Sequence, residues 1–369
     1  MKKKIYLIAN YPLDHTTSMF LYSDLVKKYL KNLRYKVIVL KPSIILNKYN
    51  FKNKLIIKYF SYVDKYVFFG LKLYFKIKKN DVVHVLDQAN SLLYPFINSK
   101  KVSLTCHDLI NYKLLKNERI KRISLTGAIY QKMILHFIKK FNKIICVSQK
   151  TKNDLIEISK INKNRIYLIY NSFNKNLKPI NHNECNRILH INKNYNYFLH
   201  VGGNAWYKNK DGVIKIFNKL IKFKNNNDYK LIFAGAKLTN EHTMLIKRLK
   251  LEKHVINFVK PNNKILCALY SRAEALIFPS HDEGFGWPII EAQACGCLVF
   301  TNYKNPMKEI GKQSLYYFNN SNYFKNAKFI NNKIKLKKNI IKKGFVNLKR
   351  FDFNKTKIKY INFFENQCL

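Results

Sequence analysis

The chain has 369 residues, which at roughly 150 residues per domain points to about two domains and excludes a single small binding module. Hydrophobic residues make up 47% and aromatics 14%, too much apolar surface for a chain that stays disordered. The 69 Lys+Arg against 21 Asp+Glu give a net charge of +48, which attracts polyanions and anionic lipid surfaces without recognising either.

The excess is nearly all lysine. Arginine, whose planar fork suits base and phosphate reading, occurs only at Arg34, Arg119, Arg122, Arg165, Arg187, Arg248, Arg272 and Arg350. Lys, Asn, Ile and Tyr are spread through the whole chain, the mark of a compositional bias. The seven cysteines (Cys106, Cys146, Cys185, Cys267, Cys295, Cys297 and Cys368) include no Cys-x-x-Cys pair and read as reduced thiols, with no metal expected. The apolar run Ile5–Ala9 is too short for a signal-peptide core, and no stretch approaches a membrane span, so a cytoplasmic protein is expected.

Short apolar runs alternate with segments of helical period, the pattern of parallel sheets covered by helices. Strands are expected at Ile5–Ala9, Lys36–Leu40, Asp81–Leu86, Lys101–Cys106, Lys143–Val147 and Ile166–Tyr170. Tyr22, Leu25, Val26, Tyr29, Leu30 and Leu33 mark a helix after the first, and Ser148 caps another. Residues 45–79 interleave lysine with aromatics and aliphatics. They read either as a basic amphipathic surface for a peripheral contact with anionic membrane or as a core-facing helix pair with solvated lysines.

Residues 174–196 carry little apolar periodicity and suggest a linker. Strands then restart at Tyr197–Val201, Lys230–Ala234, His254–Phe258, Ala273–Phe278 and Cys297–Phe300, with helical segments at 209–224, 240–250, 263–272 and 288–295. Two doubly wound α/β domains facing each other across a cleft are the economical reading. Ligands then sit at the carboxyl ends of the strands.

The densest signal is the run from Ala275 to Phe300. An apolar strand ends at Pro279-Ser280, a Gly-containing loop follows, Pro288 suits a first helical turn and Gly296 stops the helix. Such a loop presents backbone N–H groups and a helix N-terminus, a ready anion site. Glu283 and Glu291 stand eight positions apart in this unit and are expected to project into one pocket. Carboxylates are poor phosphate ligands but good acceptors for hydroxyls, so a diphosphate between two polyols, the anatomy of a nucleotide sugar, satisfies both features.

With Gly284, Gly286, Pro288, Ala292 and Gly296 in place, the segment closely resembles the family 4 (group 1) retaining glycosyltransferases. Their Glu-x7-Glu motif takes here the form Glu283-Gly-Phe-Gly-Trp-Pro-Ile-Ile-Glu291. The resemblance implies a GT-B fold of two Rossmann-like domains, with a C-terminal helix crossing back to the first. The implied organisation is an acceptor-side domain over 1–175, a linker over 176–196, a nucleotide-sugar domain over 197–345 and a helical segment over 346–369. It also implies that Glu283 and the amides of Gly284, Phe285 and Gly286 contact the donor sugar and phosphates, and that Glu291 holds the ribose hydroxyls.

The strand and Gly-Gly loop from Phe198 to Asn209 agree with this, Gly202, Gly203, Asn204 and Lys208 being donor-binding candidates. Lys208 matches the family's diphosphate lysine. Gly203 stands where the family usually has Arg, so either Lys210 or Asn204 substitutes, or the phosphates rely on backbone donors. His107 matches the family's strand-end His that approaches the donor sugar, and Asp108 beside it is a further candidate. The loop from Asn10 to Ser18 lacks the family's Gly-rich turn.

The resemblance implies retaining transfer of a sugar from GDP-mannose or a UDP-sugar to a hydroxyl of a glycan or lipid-linked saccharide, in polysaccharide biosynthesis. Glu283, His107 and Lys208 are the catalytic candidates. The nucleotide sugar is a substrate, and no cofactor is expected. Two other readings stay open: a basic nucleic-acid-binding protein and a nucleotide-sugar binder without turnover.

Overall fold

The computed structural model describes residues 4–14, 17–31, 33–49, 53–115, 124–191, 195–223, 229–318 and 322–368. Met1–Lys3, residues 15–16 of the first loop, 50–52 of the lysine and aromatic segment, Arg119, Arg122, 192–194 of the expected linker and residue 224 lie outside them. The chain divides into two compact units, one of Met1–Tyr170 with Asn354–Leu369, the other of Asn171–Phe353.

The first unit carries a six-stranded sheet of β1 (Lys4–Ile8), β2 (Lys36–Leu40), β3 (Val82–Val85), β4 (Lys101–Cys106), β5 (Lys143–Cys146) and β6 (Ile166–Leu168). Its order is β2-β1-β3-β4-β5-β6, with every pairing parallel. Strands buried on both faces are near-continuous apolar runs because helices cover both sides of a parallel sheet. The helix Thr17–Tyr29 turns Tyr22, Leu25, Val26 and Tyr29 inward at the expected spacing. The Ser148 hydroxyl accepts the Thr151 N–H and starts the helix Gln149–Ser159.

The last helix, Phe353–Cys368, belongs to this first unit. Tyr360 is fully buried, its hydroxyl 2.6 Å from that of Tyr22. Gln367 lies 2.9 Å from the Ser103 hydroxyl and donates to the Lys101 carbonyl. The Lys101 and Lys143 ammonium groups donate to the carbonyls of Cys368 and Asn366, which places cations on the negative end of the helix.

The second unit carries β7 (Asn196–Gly202), β8 (Tyr229–Gly235), β9 (Val255–Val259), β10 (Ala275–Phe278), β11 (Val299–Asn302) and β12 (Tyr316–Phe318) in the parallel order β12-β11-β10-β7-β8-β9. This is the Rossmann order, with its switch point between β7 and β10. There the strands splay. β7 pairs with β8 along its whole length but with β10 only through Phe198 and Leu199.

Two expected boundaries move. Residues 182–189, inside the expected linker, form a helix capped by Asn181, because Cys185 and Leu189, one turn apart, bury themselves and need no longer pattern. The helix Lys337–Leu348 runs through the boundary expected at 345. Among the described residues no helix is long and apolar enough to cross a membrane.

Candidate active site

Three stretches meet at the carboxyl edge of the second sheet: the loop after β7, the loop after β10 and the helix Trp287–Ala294. Asn209, at φ 54°, closes the first loop and caps the helix Lys210–Leu220 by accepting the Gly212 N–H. Its amide also donates to the Pro279 carbonyl at 3.0 Å, tying the end of β7 to the end of β10. The His281 N–H donates to the Tyr207 carbonyl at 2.7 Å, a second tie between the same loops.

Those ties place Lys208 against Glu283. The ammonium donates to both carboxylate oxygens at 2.8 Å, with the Glu283 side chain almost wholly buried and that of Lys208 mostly so. The Tyr207 and Phe278 rings flank the cation at 5.4 and 5.7 Å. A bidentate pair held out of water is strongly coupled, and removing either partner strands a charge.

Glu291 sits one turn and a half along the neighbouring helix and accepts a hydrogen bond from the Tyr270 hydroxyl at 3.0 Å. Burial pushes its carboxyl up to about 7, against the pull of that hydrogen bond and of the Lys208 charge. The same ammonium thus acts on both glutamates. Gly286 opens the helix at φ 94°, where a side chain would be strained, and Pro288 occupies the first turn. Gly296, at φ 71°, follows the helix end.

Gly203 is open. A Cβ built there meets nothing within 4 Å, so the missing Arg leaves space rather than a replacement. Asn204 donates to the Lys237 carbonyl at 2.7 Å and accepts from Lys210 at 2.8 Å. Lys210 itself is buried, which brings its ammonium down to about 8. Both substitutes considered for the Arg are therefore bonded to one another. Gly202 and Gly235 end neighbouring strands, and a Cβ on Gly235, at φ 130°, would stand 2.5 Å from the Gly202 carbonyl oxygen.

Three residues not anticipated from the sequence belong to the same strand and loops. His200, on β7, donates through Nδ1 to the Ile277 carbonyl at 2.9 Å, filling the split between β7 and β10. Burial holds its imidazole down at about 3, so the ring is neutral and Nε2 is an acceptor. That Nε2, the Ser280 Oγ and the Trp206 Nε1 are buried without a hydrogen-bond partner among the described residues. An unsatisfied buried polar group costs about 1–3 kcal/mol, and three of them stand on β7 and on the loops that follow β7 and β10. The one legible signal was a histidine inside an otherwise apolar strand.

In the first unit, His107 follows β4 and is buried. Its Nε2 donates to the Leu86 carbonyl at 2.8 Å, its N–H donates to the Gln88 side chain, and Tyr22 meets the ring edge-on at 4.5 Å. Asp108 accepts the Ile110 N–H at 3.1 Å and so opens the short helix Ile110–Lys113, while burial raises its carboxyl.

A family model described as "Glycosyl transferases group 1" matches residues 182–347, and one described as "Glycosyltransferase Family 4" matches residues 23–176. The chain belongs to the group 1 glycosyltransferases and has the GT-B fold.

Among similar proteins, the O-antigen chain mannosyltransferase RfbU of Salmonella typhimurium is 29% identical over 57% of this chain and 58% of its own length. An uncharacterized glycosyltransferase of Methanocaldococcus jannaschii is 32% identical over 46% of this chain and 42% of its own. The group 1 chain thus spans about half the length of the curated relatives it matches.

Among solved structures, a glycosyltransferase from Rickettsia africae superposes with a TM-score of 0.69 at 20% identity, covering 99% of this chain and 98% of that one. Anabaena HepE in complex with UDP-glucose superposes with a TM-score of 0.73 at 17% identity, covering 98% and 99%. At these identities the likeness is one of fold.

Proposed function

We infer that this protein is a retaining glycosyltransferase that moves a hexosyl group from a nucleoside diphosphate sugar to a hydroxyl of a glycan or lipid-linked saccharide. The observation that carries this reading is the Lys208–Glu283 pair at the β7/β10 switch point, beside a helix N-terminus and three unsatisfied buried polar atoms. A dense anion and a polyol each find a partner of the right kind there. The relatives named as mannosyltransferases favour a mannosyl donor, while the HepE complex with UDP-glucose keeps a UDP-sugar as the alternative.

In this reading the diphosphate lies on the amides of Gly284, Phe285 and Gly286 and draws the Lys208 ammonium. Glu283 accepts sugar hydroxyls, and Glu291 with Tyr270 accepts and orients those of the ribose. The bond from the anomeric carbon to the phosphate oxygen breaks as the acceptor oxygen bonds to the same face. The acceptor proton passes to the leaving diphosphate, whose growing charge Lys208 and the helix N-terminus stabilise. His107 keeps the role that the resemblance gives it, contact with the donor sugar. The work is cytoplasmic, where nucleotide sugars are the donors in polysaccharide assembly.

The test is incubation with a panel of nucleotide sugars, reading free nucleoside diphosphate and the anomeric configuration of any glycoside by NMR. Retained configuration with GDP-mannose is expected. Binding of nucleoside diphosphates with no product from any donor and acceptor would leave a binder without turnover.

A further inference from the structure

All seven cysteines are free thiols and buried, and the sugar transfer uses none of them. In the second unit two of them touch. The Cys267 and Cys295 sulfurs, 28 residues apart in sequence, stand 3.6 Å from one another. Cys267 donates to the Lys178 carbonyl at 3.0 Å, so the hydrogen between the two sulfurs is that of Cys295. This bond draws the Cys267 thiol down and pushes that of Cys295 up. Cys267 is then the better nucleophile of the two.

The contact belongs to the packing of two helices that hold Glu291. Tyr270 follows Cys267 by about one turn on the helix Asn263–Arg272. Cys295 closes the helix Trp287–Ala294 about one turn beyond Glu291. The 3.0 Å hydrogen bond from Tyr270 to Glu291 and the sulfur contact are therefore neighbouring rungs between the same two elements.

The strip Lys178–Ile180, which is neither helix nor strand, runs over this pair. Its Ile180 N–H donates to the Ser271 hydroxyl at 3.1 Å, and a Cβ on Gly296 would stand 3.8 Å from Pro179. A cover held by so few bonds opens more readily than a sheet strand and admits a small oxidant. A second thiol pair, Cys106 and Cys146, stands side by side on β4 and β5. That pair lies on interior strands of the first sheet, where the neighbouring thiol and burial keep Cys106 protonated.

We propose that Cys267 and Cys295 form a redox site that a peroxide closes to a disulfide. The Cys267 thiolate attacks one peroxide oxygen, the O–O bond breaks, and a sulfenic acid forms on Cys267 as water leaves. The Cys295 sulfur then displaces the sulfenic oxygen, which leaves as a second water. Two thiols and one hydrogen peroxide give one disulfide and two waters, the thiols losing two electrons and the peroxide gaining them. Closing the gap to about 2.05 Å pulls this rung together and shifts the next, so Glu291 moves and nucleoside diphosphate binding weakens. That consequence rests on the proposed function; the disulfide itself does not.

The experiment treats the full reduced chain with hydrogen peroxide, blocks the remaining thiols with iodoacetamide in denaturant, and maps the unreduced digest by mass spectrometry. A cross-link between Cys267 and Cys295, reversed by dithiothreitol, is expected. In Cys295→Ser the reaction should stop at a sulfenic acid on Cys267, trapped by dimedone. Calorimetry with GDP and UDP should give an affinity about tenfold lower for the cross-linked chain, the equivalent of one lost hydrogen bond, and dithiothreitol should restore it.

Seven alkylated cysteines after peroxide, or a cross-link joining other cysteines, would overturn the proposal. A cross-linked chain with unchanged affinity would overturn the action on Glu291. A reduced chain that forms the cross-link yet binds neither GDP nor UDP would count against the proposed function and support the redox site alone.

Discussion

Lys208 and Glu283, 75 residues apart, share two hydrogen bonds of 2.8 Å where the second sheet splits between β7 and β10. The pair neutralises itself, so in the proposed reading an incoming diphosphate competes with a carboxylate for the lysine. Glu283→Ala is expected to reduce transfer by about 10²-fold or more and Lys208→Ala comparably, with circular dichroism unchanged. Each single change also strands a buried charge, costing up to about 3–5 kcal/mol, whereas the double variant should lose less than the sum. Wild-type turnover by Glu283→Ala would remove the residue from the mechanism.

Gly203 offers a gain-of-function test. A side chain there meets open space, so Gly203→Arg should fold normally and return a second cation to the loop. One charge-assisted hydrogen bond is worth about 1.5–3 kcal/mol, so nucleoside diphosphate affinity, read by calorimetry, is expected to rise on the order of tenfold. Unchanged affinity in a folded variant would place the phosphates elsewhere.

The pH dependence of stability carries a signature of Glu291. Its folded carboxyl titrates near 7 because of burial, above the unfolded value of about 4.3. The folded state therefore binds this proton more tightly. The resulting stability is complete below the unfolded value and is lost as pH rises through about 7, a change on the order of 3 kcal/mol. Chemical denaturation of Glu291→Gln should show this slope flattened. A variant that keeps the wild-type slope would assign it to another group.

Gly286 opens the helix Trp287–Ala294 at φ 94°, and a Cβ there would lie 3.3 Å from Ile289 Cδ1. Gly286→Ala is expected to cost about 1–3 kcal/mol in stability and to weaken nucleoside diphosphate binding by turning the helix N–H groups. A thermal melt within a degree of wild type would mean the turn relaxes without strain.

Most of the architecture was legible because buried parallel strands are short apolar runs and nearly all of these run four residues or longer. β12, only Tyr316–Phe318, is too short to stand out from its neighbours, and the helix His182–Leu189 buries just Cys185 and Leu189 in a polar stretch. Lys208, Glu283 and Glu291 were legible through the motif. Their partnership was not, since nothing in the spacing says that Asn209 bonds across to Pro279 and draws the two loops together. His200 and Ser280 escaped because their significance lies in a bond not made, a property of three dimensions alone. Residues 45–79 admitted two readings, because Leu73 turns into the core as a core-facing helix pair requires while Phe75, two residues on, stays exposed.

The placement of Phe353–Cys368 on the first unit also sets an order of events during biosynthesis. Tyr22, Ser103 and Lys101 emerge from the ribosome early, yet the partners they find on Tyr360, Gln367 and Cys368 are translated only after the second unit. The amino-terminal half therefore lacks the helix that covers this flank until the whole of the second unit has been made.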